Sequence, residues 1–271
     1  MTTKIQQGGV TMTGTWSGAN PVAADDLIVN SSIQPITQAL STYAAISVES
    51  LKILAGSVGR IGGGGAGALQ LDVDNSADSV LMCRGTSFAL TYGGTAIDLG
   101  IGPGNEVNLD GATISGDVTM DGGRFTSASG STISNFYATG GQSHIMNDGN
   151  RGTLFRVSSG RHLVQKEFAT YDISGDAVVT IDLDVSITVD AATQLNQHSG
   201  HIENLHAPIP NYYGTGGTLD NRKATTAHEL GATVCELLGV RVNENTETVD
   251  MSNASSPGGM NRPVSGPVPL P

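Results

Sequence analysis

Short apolar stretches recur along this chain every ~8–11 residues from about Leu51 onward, with Gly, Asn, Asp and Ser between them. They read Leu69 to Val73, Val80 to Met82, Phe88 to Tyr92, Ile97 to Ile101, Val107 to Leu109, Val118 to Met120, Ile133 to Tyr137, Leu154 to Val157 and Ile181 to Val189. Each alternates apolar with polar or small residues, the period-two pattern of a strand with one buried face. None is long enough to enclose a core, so the stretches must stack on one another. Turn residues that tolerate positive φ separate them: Gly93-Gly94, Pro103-Gly104-Asn105, Asp121-Gly122-Gly123, Gly140-Gly141 and Asp148-Gly149-Asn150. The pattern predicts an all-β chain, an irregular parallel β-helix or solenoid-like body with extended N- and C-terminal arms.

The texture divides the chain into four parts. Residues 1–46 read as an N-terminal arm with first strands, Asp25 to Asn30 being the clearest. Residues 47–190 form the β-helical body, 191–249 a C-terminal capping region and 250–271 a Pro/Gly-rich extended tail. Within the cap, Ala224 to Leu238 fits a helix with Gly239 as its C-cap, and Thr233 to Val242 fits a strand equally well. Both readings stay open.

Composition sharpens this picture. Aromatics make up 4% and charged residues 14%, with 37 glycines, so the core must be built from thin aliphatic rows and the surface from Thr, Ser, Asn and Gly. A net charge of −12 disfavours a phosphate backbone as partner, so no nucleic-acid binding is expected. No apolar run reaches the ~18–20 residues of a membrane span, and none follows Met1 as in a secretory signal. The expectation is a soluble chain made in a cytoplasm, without membrane contact. Cys83 and Cys235 read as small buried residues, with a single disulfide left open.

Candidate chemistry is sparse. Ala227-His228-Glu229-Leu230-Gly231 resembles a zinc-protease helix, but Ala232 stands where the second histidine is required. His198, His201 and His206 cluster in sequence and are the weak metal candidates, although their spacing matches no closed site. Gly62 to Gly67 reads as a flexible turn, since neither a helix pattern nor a Lys-Ser/Thr pair follows. Asp25-Asp26, Asp72 with Asp74, Asp182 with Asp184, and Glu244 with Glu247 are the candidate carboxylate pairs, and alternation on a strand makes Asp182 with Asp184 a solvated face. No catalytic residue, no metal and no cofactor is expected.

The segment Thr15-Trp16-Ser17-Gly18-Ala19-Asn20-Pro21, then Asp25 to Val29, leading to Leu51-Lys52-Ile53 and Gly59-Arg60-Ile61-Gly62, resembles the opening of a group of tailed-bacteriophage virion structural proteins. The resemblance covers about residues 10–190 and is one of texture, a Trp-containing arm before an Asp-rich strand and irregular β-helical coils. It implies a non-enzymatic virion component synthesised in a host bacterial cytoplasm. Foremost is a capsid decoration (cement) protein that binds neighbouring major capsid subunits from outside. The alternative is a tail fibre or tailspike-type protein that binds host-surface glycans. Partner contacts are expected at Trp16 and Pro21 in the arm and at Pro263, Pro267, Pro269 and Pro271 in the tail, where a polyproline-like segment costs little entropy to dock. Open coil ends need protection, so a homo-oligomer, favoured as a trimer, is expected.

Overall fold

The computed structural model describes residues 2–6, 21–30, 46–63, 65, 67–128, 130–183, 189–205, 210–221, 234–237 and 241–244. These residues form two parallel sheets wound into an irregular β-helix. The first sheet stacks β1 (Thr3–Gln6), β2 (Asp26–Val29), β3 (Ser50–Ile53), β5 (Val80–Cys83), β8 (Asp98–Ile101), β10 (Thr113–Met120), β12 (Thr132–Ala138), β14 (Gly152–Val157), β16 (Phe168–Ile173), β18 (Gln194–Gln197), β20 (Asn211–Gly214) and β22 (Val234–Leu237) in that order. The second stacks β4 (Val58–Ile61), β6 (Ser87–Tyr92), β9 (Glu106–Leu109), β11 (Arg124–Ser127), β13 (Gln142–Ile145), β15 (Arg161–Val164), β17 (Val178–Ile181), β19 (His201–Asn204), β21 (Thr218–Asn221) and β23 (Arg241–Glu244). A short third wall joins them, where β7 (Thr95–Ala96) pairs with the start of β10, which pairs with the start of β12. At about 4.8 Å per rung, the first sheet spans about 50 Å.

From β3 onward each coil contributes one strand to each sheet, so the recurrence seen in the sequence is half a coil. The inward residues Leu81, Leu99, Val118, Phe136 and Phe155 are register partners in turn, at steps of 18, 19, 18 and 19 residues. The ladder crosses residues 46 and 190 without interruption. Thr3–Gln6, within the segment expected as an arm, is a rung paired with β2. Val234–Leu237 is strand, the second of the two readings of that segment. The tail at 250–271 lies outside the described residues.

The core is a set of columns. Leu27, Leu51, Leu81, Leu99, Val118, Phe136, Phe155, Tyr171, Leu195 and Tyr212 form one, all buried. Phe136 and Phe155 stack with centroids 5.5 Å apart and planes 9° apart, as identical residues on successive rungs must. At the N-terminal end Lys4 stands over Leu27 in the same column, and its amine reaches Asp25 at 3.5 Å. Its stem covers the last apolar rung while its charge finds a partner. Where the second sheet's column needs a side chain between Phe125 and Val179, it holds Ser143 and His162. His162 Nδ1 meets Ser143 Oγ at 2.9 Å, Nε2 meets the Ser159 carbonyl at 2.9 Å, and the ring edge lies against Phe136 and Phe155. These partners fix a neutral ring that donates from Nε2 and accepts from Ser143.

The corner from the first sheet to the second is short throughout, a step of four or five residues. From Met120 to Arg124, Ala138 to Gln142 and Val157 to Arg161 the chain takes the same four-residue step. Gly123, Gly141 and Gly160 occupy this turn with φ of 77°, 85° and 97°. Added length leaves instead between the second sheet and the next first-sheet strand, as between Ile61 and Val80 or Ile181 and Gln194.

A Cβ on Gly160 would lie 2.3 Å from the Gly141 carbonyl, so Gly160→Ala combines strain with a clash and should cost about 2–3 kcal/mol in a denaturant titration. Gly111 has φ of 74° but no neighbour within 4 Å, and Gly111→Ala should cost clearly less. Burial holds the His162 pKa below its usual 6.5, with the Ser159 carbonyl partly opposing. Its contribution to stability is therefore present above pH ~6.5 and declines as pH falls, because the unfolded chain binds a proton that the folded one refuses. Thermal melts of the wild type should drop more on acidification than those of His162→Gln; parallel drops would contradict this.

Candidate functional site

The coil interior is filled by the columns, so a site for a ligand or partner must lie on the outside. Three features stand out among the described residues: the outer face of the first sheet at its N-terminal end, a groove along the glycine corner, and a His-carboxylate group on late rungs.

The outer column of the first sheet begins with Ile5, Ile28, Lys52 and Met82, register partners on four successive rungs. Val80 adjoins Met82, and both are half-buried. Beyond them the column continues as Gly100 and Thr119. The exposed large apolar residues also gather at this end: Ile5 at 42%, Val22 at 57%, Leu54 at 37% and Val58 at 39%. An apolar patch of this kind marks an interaction surface. Pro21 is itself buried, beside exposed Val22.

The groove, of about 600 Å³, has Gly123, Gly141 and Gly160 as its floor and Glu106, Arg124, Gln142 and Arg161 along one side. These four are register partners, so both guanidiniums project from one column two rungs apart, about 10 Å.

The histidines of the sequence cluster separate. His198 lies in the corner after β18, with Nε2 3.2 Å from Asp172 Oδ1, whose other oxygen takes Arg156 Nε at 2.8 Å. His201 opens β19, with Nε2 3.8 Å from Glu203 Oε1. Glu203 faces Asp220 across the ladder, and one ligand atom from each of these three residues lies within 4.8 Å of the others. An imidazole and two carboxylates could hold a divalent cation, and sequence reading missed the two carboxylates because their approach depends on register. His206 lies outside the described residues, as do Trp16, Pro263, Pro267, Pro269, Pro271 and the His228-Glu229 motif.

The candidate carboxylates within the described residues tie rungs together. Asp25 accepts from Val22 N at 3.0 Å, Asp26 from Ser50 Oγ at 2.7 Å, Asp72 from Thr95 N at 2.8 Å and Asp74 from Ser47 Oγ at 2.6 Å. Cys83 is buried and free, its thiol pushed up to about 12 by desolvation against a weaker hydrogen bond from Gly85. Cys235 stands eight rungs along the same sheet, about 40 Å away, so no disulfide joins the two within one chain. Tyr92, Tyr171 and Tyr212 are core residues; Tyr137 and Tyr213 remain half-buried on the outer face.

The fold is thus consistent with a solenoid protein of the structural or binding kind. Comparison of the chain with protein-family models, curated proteins and solved structures gives no match.

Proposed function

We propose that the protein is a structural rod of a bacteriophage particle, a capsid decoration that binds neighbouring major capsid subunits from outside and reinforces the shell. The observation that carries this reading is the outer column Ile5, Ile28, Lys52 and Met82 on the first four rungs of a parallel ladder, apolar at three of its four positions. Backbone groups paired from rung to rung make such a rod stiff. An apolar patch at one end gives it a place to attach. Many copies on one shell would multiply a modest contact through avidity. The Trp-containing opening that resembles virion proteins supports the same setting.

A second reading, a tail fibre or tailspike-type protein binding host-surface glycans, draws on the groove with Arg124, Gln142 and Arg161. The scarcity of outer aromatic side chains weighs against it, because sugar sites lean on stacking faces.

Shells purified without the protein should break at lower temperature, and adding the chain back should restore them. Burying an apolar side chain is worth about 1.5–3 kcal/mol, so Ile28→Asp with Met82→Asp should weaken shell binding at least tenfold while leaving the circular dichroism spectrum unchanged. Equal binding by a folded variant would remove the patch from the interface. Failure of the wild type to bind any shell, together with retention on host cells, would favour the glycan reading.

A further inference from the structure

Lys166 and Asp148 meet inside the molecule, the amine 2.6 Å from Oδ1, with side-chain exposures of 1% and 0%. Lys166 lies between β15 and β16; Asp148 lies in the turn between β13 and β14, on the preceding coil. Both are held in place. Asn150 N donates to Asp148 Oδ1 at 2.9 Å, and Gly149 N donates to Asn147 Oδ1 at 3.0 Å. On the other side Tyr171 Oη donates to the Lys166 carbonyl at 3.0 Å, Gln165 N to Ile145 at 2.7 Å and Gly152 N to Glu167 at 2.8 Å.

As an ion pair the arrangement is incompletely satisfied. Asp148 Oδ2 is buried with no hydrogen-bond partner. The ammonium has three protons, and the two acceptors found for it are Asp148 Oδ1 and, at 2.7 Å, the Asn150 carbonyl. A buried charged pair with unused polar valences is costly.

We propose that Lys166 and Asp148 condense into an intramolecular isopeptide bond that ties two successive coils. Nζ attacks Cγ of Asp148, one N–C bond forms and the Cγ–Oδ2 bond breaks. Two of the three ammonium protons depart on Oδ2 as water, and the third stays on the amide nitrogen. No oxidant, reductant or co-reactant enters, and no net proton is exchanged. The product replaces the contact between Nζ and Oδ1 by a covalent bond and can keep both contacts of the pair with Asn150. Oδ1 remains the acceptor for Asn150 N, and the new N–H donates to the Asn150 carbonyl. The atom expelled is the one that lacks a partner. Proximity is supplied in advance by the two turns. Burial lowers the Lys166 pKa, against the hydrogen bond and charge of Asp148, which favours the free amine the attack requires. The inference is independent of where the rod is used.

Intact-mass measurement of the denatured full-length chain tests it. The wild type should be lighter than its sequence mass by one water, and a digest should contain one branched peptide joining the segments around residues 148 and 166. Lys166→Met should have full mass. Full mass in the wild type overturns the proposal outright. So does a water loss that persists in Lys166→Met, because Asp148-Gly149 can lose water by closing on its own backbone as a succinimide. The bond should also raise the melting temperature of the wild type above that of Lys166→Met.

Discussion

Parallel pairing from rung to rung is the constraint on which this structure depends. Once β8 pairs with β10 and β10 with β12, Leu99, Val118 and Phe136 are obliged to lie in one column about 4.8 Å apart. A shift of one residue on any rung would turn its apolar residues out to water. Everything inside the coil is therefore a vertical problem: what stands above and below matters more than what stands opposite. Aliphatic side chains solve it easily; Phe136 and Phe155 solve it by stacking. Ser143 and His162 solve it by bonding to one another, which is how a polar rung survives in this position.

The same logic explains the corner glycines. Stacked turns bring the backbone of each coil against the carbonyls of the one before, leaving no room for a Cβ at Gly160. Gly111, with a similar φ and open surroundings, is set by local geometry alone. Conformation and crowding are separate demands, and only the first can be read from a turn signature.

Much of the architecture was legible because half of the strands announce themselves. Val80 to Met82, Phe88 to Tyr92, Val107 to Leu109 and Leu154 to Val157 alternate cleanly and are strands. Strands β13 and β15 escaped notice because Ser143 and His162 occupy inward positions and break the apolar alternation. β1 escaped because Lys4 points inward at the end of the column. Surface groupings were less legible still. Ile5, Ile28 and Met82 are separated by 23 and 54 residues and become one patch only through register. Glu203 and Asp220 approach for the same reason, whereas His198 and His201, close in sequence, turn to different carboxylates. Lys166 with Asp148 belongs to this class: sequence order gives no sign of a contact that stacking creates.

The uneven placement of added length has its own consequence. One corner holds to a step of four or five residues, whereas the opposite side takes longer excursions such as that between Ile61 and Val80. Leu69, Leu71 and Val73 within that excursion are buried, and Leu69 and Val73 bridge to a neighbouring coil, so only its exposed turns, such as Gly65 and Ala77, can vary in length without cost to the core. A designer seeking to graft a foreign peptide, or a lineage diversifying its outward appearance, would find room at those exposed turns and little at the short corner.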